Sequence, residues 1–204
     1  LSKTKRECER VFHFPVIQTR YYEVKIDLSG FDALVLTSKE AVNALQKSGI
    51  DTRGVGALCV SQKTAQRAQE AGMRVLHSAD GYGKALGTLI QKRYSRLRLF
   101  FPHGKALAFD LPGLLHKAGI NCTDAIVYET VCAPKQAVDF EKNSVFIFTS
   151  PSTVRCFFQN YSWRQDFRAV AIGSTTFYAL PKECETYIAD RTDIRACIDK
   201  GLQV

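Results

Sequence analysis

Four hydroxyl-rich stretches stand just ahead of helix-like segments: Thr37-Ser38, Ser61-Gln62-Lys63-Thr64, Thr149-Ser150-Pro151-Ser152-Thr153 and Gly173-Ser174-Thr175-Thr176. A fifth turn of the same placement reads Pro102-His103-Gly104. A helix N-terminus offers unpaired backbone N–H groups and a partial positive charge, so it favours anions. A serine or threonine there either caps the helix or donates to a ligand carboxylate. One hydroxyl decides nothing between these roles. Several such turns facing one space point to a ligand with several negative groups. His103 stands at the carboxyl end of a strand-like run and is either a ligand contact or a structural histidine. Tyr128 ends another such run, and its phenol could donate a hydrogen bond or a proton.

No nucleophile or metal signature accompanies them. His13, His77, His103 and His116 are isolated, and there is no HExxH, GxSxG, P-loop or GxGxxG pattern. Gly81-Tyr82-Gly83 is too short to count as one.

The elements that must carry these residues repeat. With an offset of 112, Ala33 falls on Val145, Thr37-Ser38 on Thr149-Ser150 and Ala57–Thr64 on Ala169–Thr176. The same offset places Val75-Leu76 on Tyr187-Ile188. Three strand-like blocks in one register predict two copies of one supersecondary plan. The short runs Ala33–Leu36, Ala57–Val60, Val145–Phe148 and Ala169–Ile172 are apolar on both faces, as buried parallel strands are. Gly49, Gly72 and Gly119 stand where helices should end. Alternating strand and helix predicts an α/β fold. It has two similar parallel-sheet lobes, one inserted into the other, with a two-segment linker and a cleft between. The discontinuous domain is expected over 1–17 plus 135–204 and the inserted one over 20–128, with linkers near 16–20 and 128–134. In open parallel sheets ligands sit beyond the carboxyl ends of the strands, where all five turns fall.

The totals fit this reading. The chain of 204 residues, 46% hydrophobic, can form one large or two small cores. A net charge of +8 favours anionic partners. Neither a membrane span nor a signal pattern is visible, which points to the cytoplasm, and Leu1 suggests that a few residues precede this sequence. The seven cysteines are odd in number and form no CxxC, so they read as buried free thiols, not as a disulfide framework.

The motifs Phe14-Pro15, Leu36–Val42 (LTSKEAV), Val127-Tyr128-Glu129-Thr130, Phe148–Ser152 and Ala171–Thr176 together resemble the uroporphyrinogen-III synthase family over most of the chain. The resemblance implies two α/β lobes and no cofactor or metal. It implies a polyanionic linear tetrapyrrole, hydroxymethylbilane, as substrate. Water would leave the terminal hydroxymethyl group to give an azafulvene. The last ring would close through a spiro intermediate and end inverted. Such a task needs orientation more than a covalent group. Tyr128 matches the family's cleft tyrosine, which assists departure of the hydroxyl. Thr64, Ser150 and Thr176 match its cleft hydroxyls, Ser61, Ser152, Thr153, Ser174 and Thr175 share their turns, and Thr37 and Ser38 form the remaining hydroxyl turn. Gly104 follows His103 where the family commonly has arginine. Lys3 and Lys5 are candidate carboxylate contacts in a short N-terminal unit. The enzyme that forms the bilane is a further partner.

Two other readings compete. A two-lobed protein could close on a small anion without chemistry, but such proteins are usually exported. A nucleic-acid surface needs an aromatic-studded basic stripe, and Arg93-Tyr94 with Arg96 is too little.

Overall fold

The computed structural model describes residues 11–79, 81 and 83–204. Lys3, Lys5, Cys8 and Tyr82 lie outside the described residues. Two compact units result, one ending at Gln18 and resuming with Val131–Val204, the other Thr19–Thr130.

The inserted unit is built on a sheet with strand order β1-β6-β5-β2-β3-β4. The strands are β1 (Ile17–Tyr21), β2 (Ala33–Leu36), β3 (Gly56–Cys59), β4 (Arg74–Ser78), β5 (Leu99–Gly104) and β6 (Cys122–Cys132). Strands β5, β2, β3 and β4 run parallel, and β6 is parallel to β5. Helices α1 (Lys39–Lys47) and α2 (Gln62–Glu70) cover one face, and α3 (Gly83–Arg93) and α4 (Leu111–Lys117) the other. The pleat explains the all-apolar strands, because successive side chains point to opposite faces. Leu34 and Leu36 pack with Ala41, Val42, Leu45 and Ala68, while Ala33 and Val35 pack with Leu86, Ile90, Leu111 and Leu115. Gly49, Gly72 and Gly119 follow α1, α2 and α4 with φ of 70°, 79° and 70°, a left-handed conformation that favours glycine.

The split unit has a three-stranded parallel sheet, β7 (Val145–Phe148), β8 (Arg168–Ala171) and β9 (Glu185–Ile188), in that order. Phe146 and Phe148 pack against Val154 and Phe157 of α5 (Pro151–Asn160). Val145 and Ile147 face Cys197 of α7 (Ile194–Gly201). The short helix α6 (Ser174–Phe177) follows β8.

The repeat is visible in the pairing. Ala33 pairs with Gly56 and Val145 with Arg168, each partner displaced by 112. Helices α1 and α5 begin at Lys39 and Pro151, and α2 and α6 at Gln62 and Ser174, with the same displacement. The third strand departs from the expected register. Gly56 pairs with Arg74 but Arg168 pairs with Glu185, a displacement of 111. A bulge between Ala57 and Leu58 in the β3–β4 ladder adds a further residue of slip.

One expectation is corrected. Cys132, at the end of β6, is joined to Cys156 of α5 by a disulfide, so these two are not free thiols. The bond is set by tertiary placement, since the two cysteines lie 24 residues apart in different elements. Cys59, Cys122, Cys184 and Cys197 are free and buried, and burial pushes each thiol up to about 11.

Candidate active site

In the inserted unit the parallel order brings the carboxyl ends of β3, β2, β5 and β6 side by side. Thr37 and Ser38, Ser61 and Thr64, Gly104 and Tyr128 therefore share one edge of the sheet. Ser38 caps α1, its Oγ accepting from the Glu40 N–H at 3.1 Å. Ser61 caps α2, accepting from the Thr64 N–H at 3.4 Å, and the two hydroxyls lie 3.2 Å apart. Thr64 is buried, so its side chain is spent on the helix start.

Tyr128 is half-buried, on β6 at one end of this row. Its ring lies over Gly104: a Cβ at that glycine would stand 2.8 Å from two ring carbons and 3.0 Å from the phenol oxygen. Only glycine leaves room for the ring there. Burial, and then the nearby Glu40 carboxylate, push the phenol above its ordinary value, while a hydrogen bond with Ser38 acts the other way. The net result keeps the proton on Tyr128 at neutral pH. Glu40 lies in the first turn of α1 and accepts from the Tyr21 hydroxyl and from Asn43 Nδ2 at 3.2 Å. Arg67 of α2 extends the network, its Nε donating to Asn43 Oδ1 at 2.8 Å. Tyr21 is pushed up to about 12, first by burial and then by its bond to Glu40.

Glu129 follows Tyr128 and is buried. Arg20 Nε donates to it at 2.7 Å, and Lys105 Nζ lies 3.6 Å away. The bond from Arg20, and then one from Tyr22, hold its carboxyl below the ordinary range. Arg20 and Lys105 are themselves largely exposed, so two cations stand in solvent at this end of the unit.

His103 does not join the edge. It is buried, with Nε2 3.0 Å from Asp124 Oδ2, Nδ1 2.8 Å from the Gly104 carbonyl, and its ring against Phe101. These contacts are those of a structural histidine.

In the split unit Ser150 and Ser152 stand at the carboxyl end of β7 and Ser174 to Thr176 at that of β8, which is its neighbour. Ser150 and Thr153 form a reciprocal capping box, with N–H to hydroxyl distances of 3.3 Å in each direction. Thr153 is fully buried, and Ser150 and Ser152 share a 2.9 Å bond. At α6 the cap is Gly173, which supplies no side-chain bond, and Ser174 and Thr175 are exposed while Thr176 is buried. Of the hydroxyls singled out from the sequence, Thr64, Thr153 and Thr176 are thus covered, and Ser174 and Thr175 are open to solvent.

Sequence reasoning missed Tyr21, Glu40, Asn43 and Arg67 as a set, and Arg20 with Lys105. The three-residue spacing of Glu40 and Asn43 signals a pair on one helix face. Their partners come from β1 and α2, which no local pattern connects to them.

Comparison with known proteins gives the following. No curated protein sequence matches significantly. The chain is similar in structure to a uroporphyrinogen-III synthetase from Helicobacter pylori 26695, with TM-score 0.81, 23% identity, and 97% of this chain and 95% of that one covered. It is also similar to a mutant uroporphyrinogen III synthase from the extremely thermophilic bacterium Thermus thermophilus, with TM-score 0.53, 19% identity, and coverage of 93% and 86%. At such identities these likenesses speak for the fold. The family model described as Uroporphyrinogen-III synthase HemD matches residues 2–199, nearly the whole chain, and the protein therefore belongs to the uroporphyrinogen-III synthase family.

Proposed function

We propose that the chain is a hydro-lyase that closes hydroxymethylbilane to uroporphyrinogen III, with Tyr128 as the proton donor to the departing hydroxyl. The observation that carries this reading is the Tyr128 ring lying over Gly104, protonated and beside the hydroxyl turns of its own unit. Hydroxide is a poor leaving group at neutral pH, so a nearby donor lowers the barrier. A phenol donates without a charge that the substrate carboxylates would repel. The exposed Lys105 and Arg20, with the turns at Ser38, Ser61, Ser150, Ser152, Ser174 and Thr175, are the groups proposed to receive carboxylates. Thr37, Thr64, Thr153 and Thr176 contribute by shaping those turns. The bilane also closes without help, to the uninverted macrocycle. Short transit from the enzyme that forms it is therefore an advantage, and we place both in the cytoplasm.

The reading is tested by incubating the protein with freshly made hydroxymethylbilane, oxidising the products and separating the isomers. Accumulation of the inverted isomer faster than spontaneous closure is expected. Only the uninverted isomer, at the spontaneous rate, would overturn it and favour the anion-binding alternative.

A further inference from the structure

Strands β5 and β6 keep one register from Leu99 with Cys122 to His103 with Ile126, and then slip, so that Gly104 pairs with Tyr128. Val127 is the extra residue on β6. Such a bulge bends its strand and re-aims the side chains beyond it. The first side chain beyond this one is Tyr128, whose ring lies over Gly104. The aim of the phenol therefore depends on what holds the slip in place.

His103 spans it. Successive side chains of a strand point to opposite faces. His103 lies with Phe101 on the face covered by α3 and α4, whereas Tyr128 packs on the face covered by α1 and α2. It therefore acts on the phenol only through the main chain. Its Nδ1 lies 2.8 Å from the carbonyl oxygen of Gly104, the residue beneath the ring. Its Nε2 lies 3.0 Å from Oδ2 of Asp124, on β6 before the slip. On the other side of the slip the Lys105 N–H donates to the Tyr128 carbonyl at 2.9 Å, so Gly104 is held between two fixed points. Burial alone accounts for a histidine having polar partners. It does not account for their place, one on each side of the bulge that aims Tyr128.

We propose that His103 is a positioning residue for Tyr128: by tying the Gly104 carbonyl to Asp124 across the bulge, it fixes the glycine over which the phenol lies. This inference rests on the cyclase reading above. Without the tether Gly104 shifts against the ring, and a displacement of about 1 Å at a reacting group can cost on the order of 100-fold. His103 works through one intervening glycine, so its removal costs less than that.

His103→Ala is compared with the parent protein for the kinetics of inverted product, with thermal melting as a control for folding at the assay temperature. We expect kcat to fall by about 10-fold, with KM within about twofold of the parent. The decisive arm repeats the substitution in Tyr128→Phe. A residue that acts through the phenol has nothing left to misplace there, so the remaining rate should change by less than about twofold. Partial unfolding would lower both backgrounds alike. An equal fall in both, or a parent-like kcat for His103→Ala, would overturn the proposal. Should His103→Ala not fold, Asp124→Ala cuts the same tether at its partly exposed end and is judged by the same two arms. A crystal structure of either variant reads the ring directly, whatever reaction the protein catalyses. A phenol displaced from its place over Gly104 is expected, and one left there would overturn the proposal. A parent protein that gives only the uninverted isomer would instead sink the cyclase reading itself.

Discussion

The Tyr128 phenol is positioned by what is missing at Gly104. A methyl group there would meet the ring at 2.8 Å, so Gly104→Ala must move the phenol. Displacement of a reacting group by about 1 Å can cost on the order of 100-fold. We expect Gly104→Ala to lower kcat by roughly that factor with a nearly unchanged melting temperature, measured by isomer assay and calorimetry together. A parent-like rate would show that the ring needs no such placement. His103 behaves differently, because its ring is buried between Asp124 and the Gly104 carbonyl. His103→Ala removes buried hydrogen bonds and should cost about 1–3 kcal/mol of stability. Its effect on inversion should be smaller than that of Tyr128→Phe. Tyr128 could be picked from the sequence because it ends a strand-like run, and Gly104 because it stands in the turn expected after one, although Pro102, His103 and Gly104 belong to β5 itself. The buried state of His103 could not, since its partner Asp124 lies on a neighbouring strand.

Elements show how much of the fold was legible. The 112-residue offset identifies β2 with β7 and β3 with β8, because both pairs are apolar on two faces and precede helices with matched starts. The slip at β4 and β9 was not legible, since a bulge shifts pairing without altering composition. The hydroxyl turns stand out in the sequence, but their work is mixed. Ser150 and Thr153 are bound to each other as a capping box, and Thr153 is fully buried. Ser150→Ala should therefore lower the stability of the split unit by about 1 kcal/mol, read by denaturant melting. A loss of substrate affinity with stability unchanged would instead make Ser150 a ligand contact.

Across the whole molecule two features add to the stability of the apolar cores. The first is the Cys132–Cys156 disulfide, which no spacing pattern announced. Closing a loop of this size is worth about 3 kcal/mol in the chain-entropy view. Reductant, or Cys156→Ser, should lower the melting temperature by more than about 5 °C. An unchanged melt would mean that the bond contributes little. The second is a set of carboxylates held below their ordinary range: Asp166 by Arg164 and the Asn143 N–H, Asp193 by the Ala196 N–H and Arg191, Asp32 by Arg98, and Glu129 by Arg20. Each is easier to ionise folded than unfolded. Their stabilisation is complete above the ordinary carboxylate range and is lost as pH falls through the depressed values. Melting temperature should be level from neutral pH to about 5 and fall below about 4, whereas a level curve to about pH 3 would contradict this.

The central claim is that this fold inverts a pyrrole ring with a phenol as its acid, and replacing one oxygen atom tests it most directly. Tyr128→Phe keeps the ring over Gly104 and removes only the donor. With hydroxymethylbilane as substrate and the two macrocycle isomers separated, the rate of inverted product should fall by about 100-fold or more. The uninverted isomer should then accumulate at its spontaneous rate. Inverted product formed by Tyr128→Phe at the parent rate would contradict the account and leave Tyr128 a structural tyrosine.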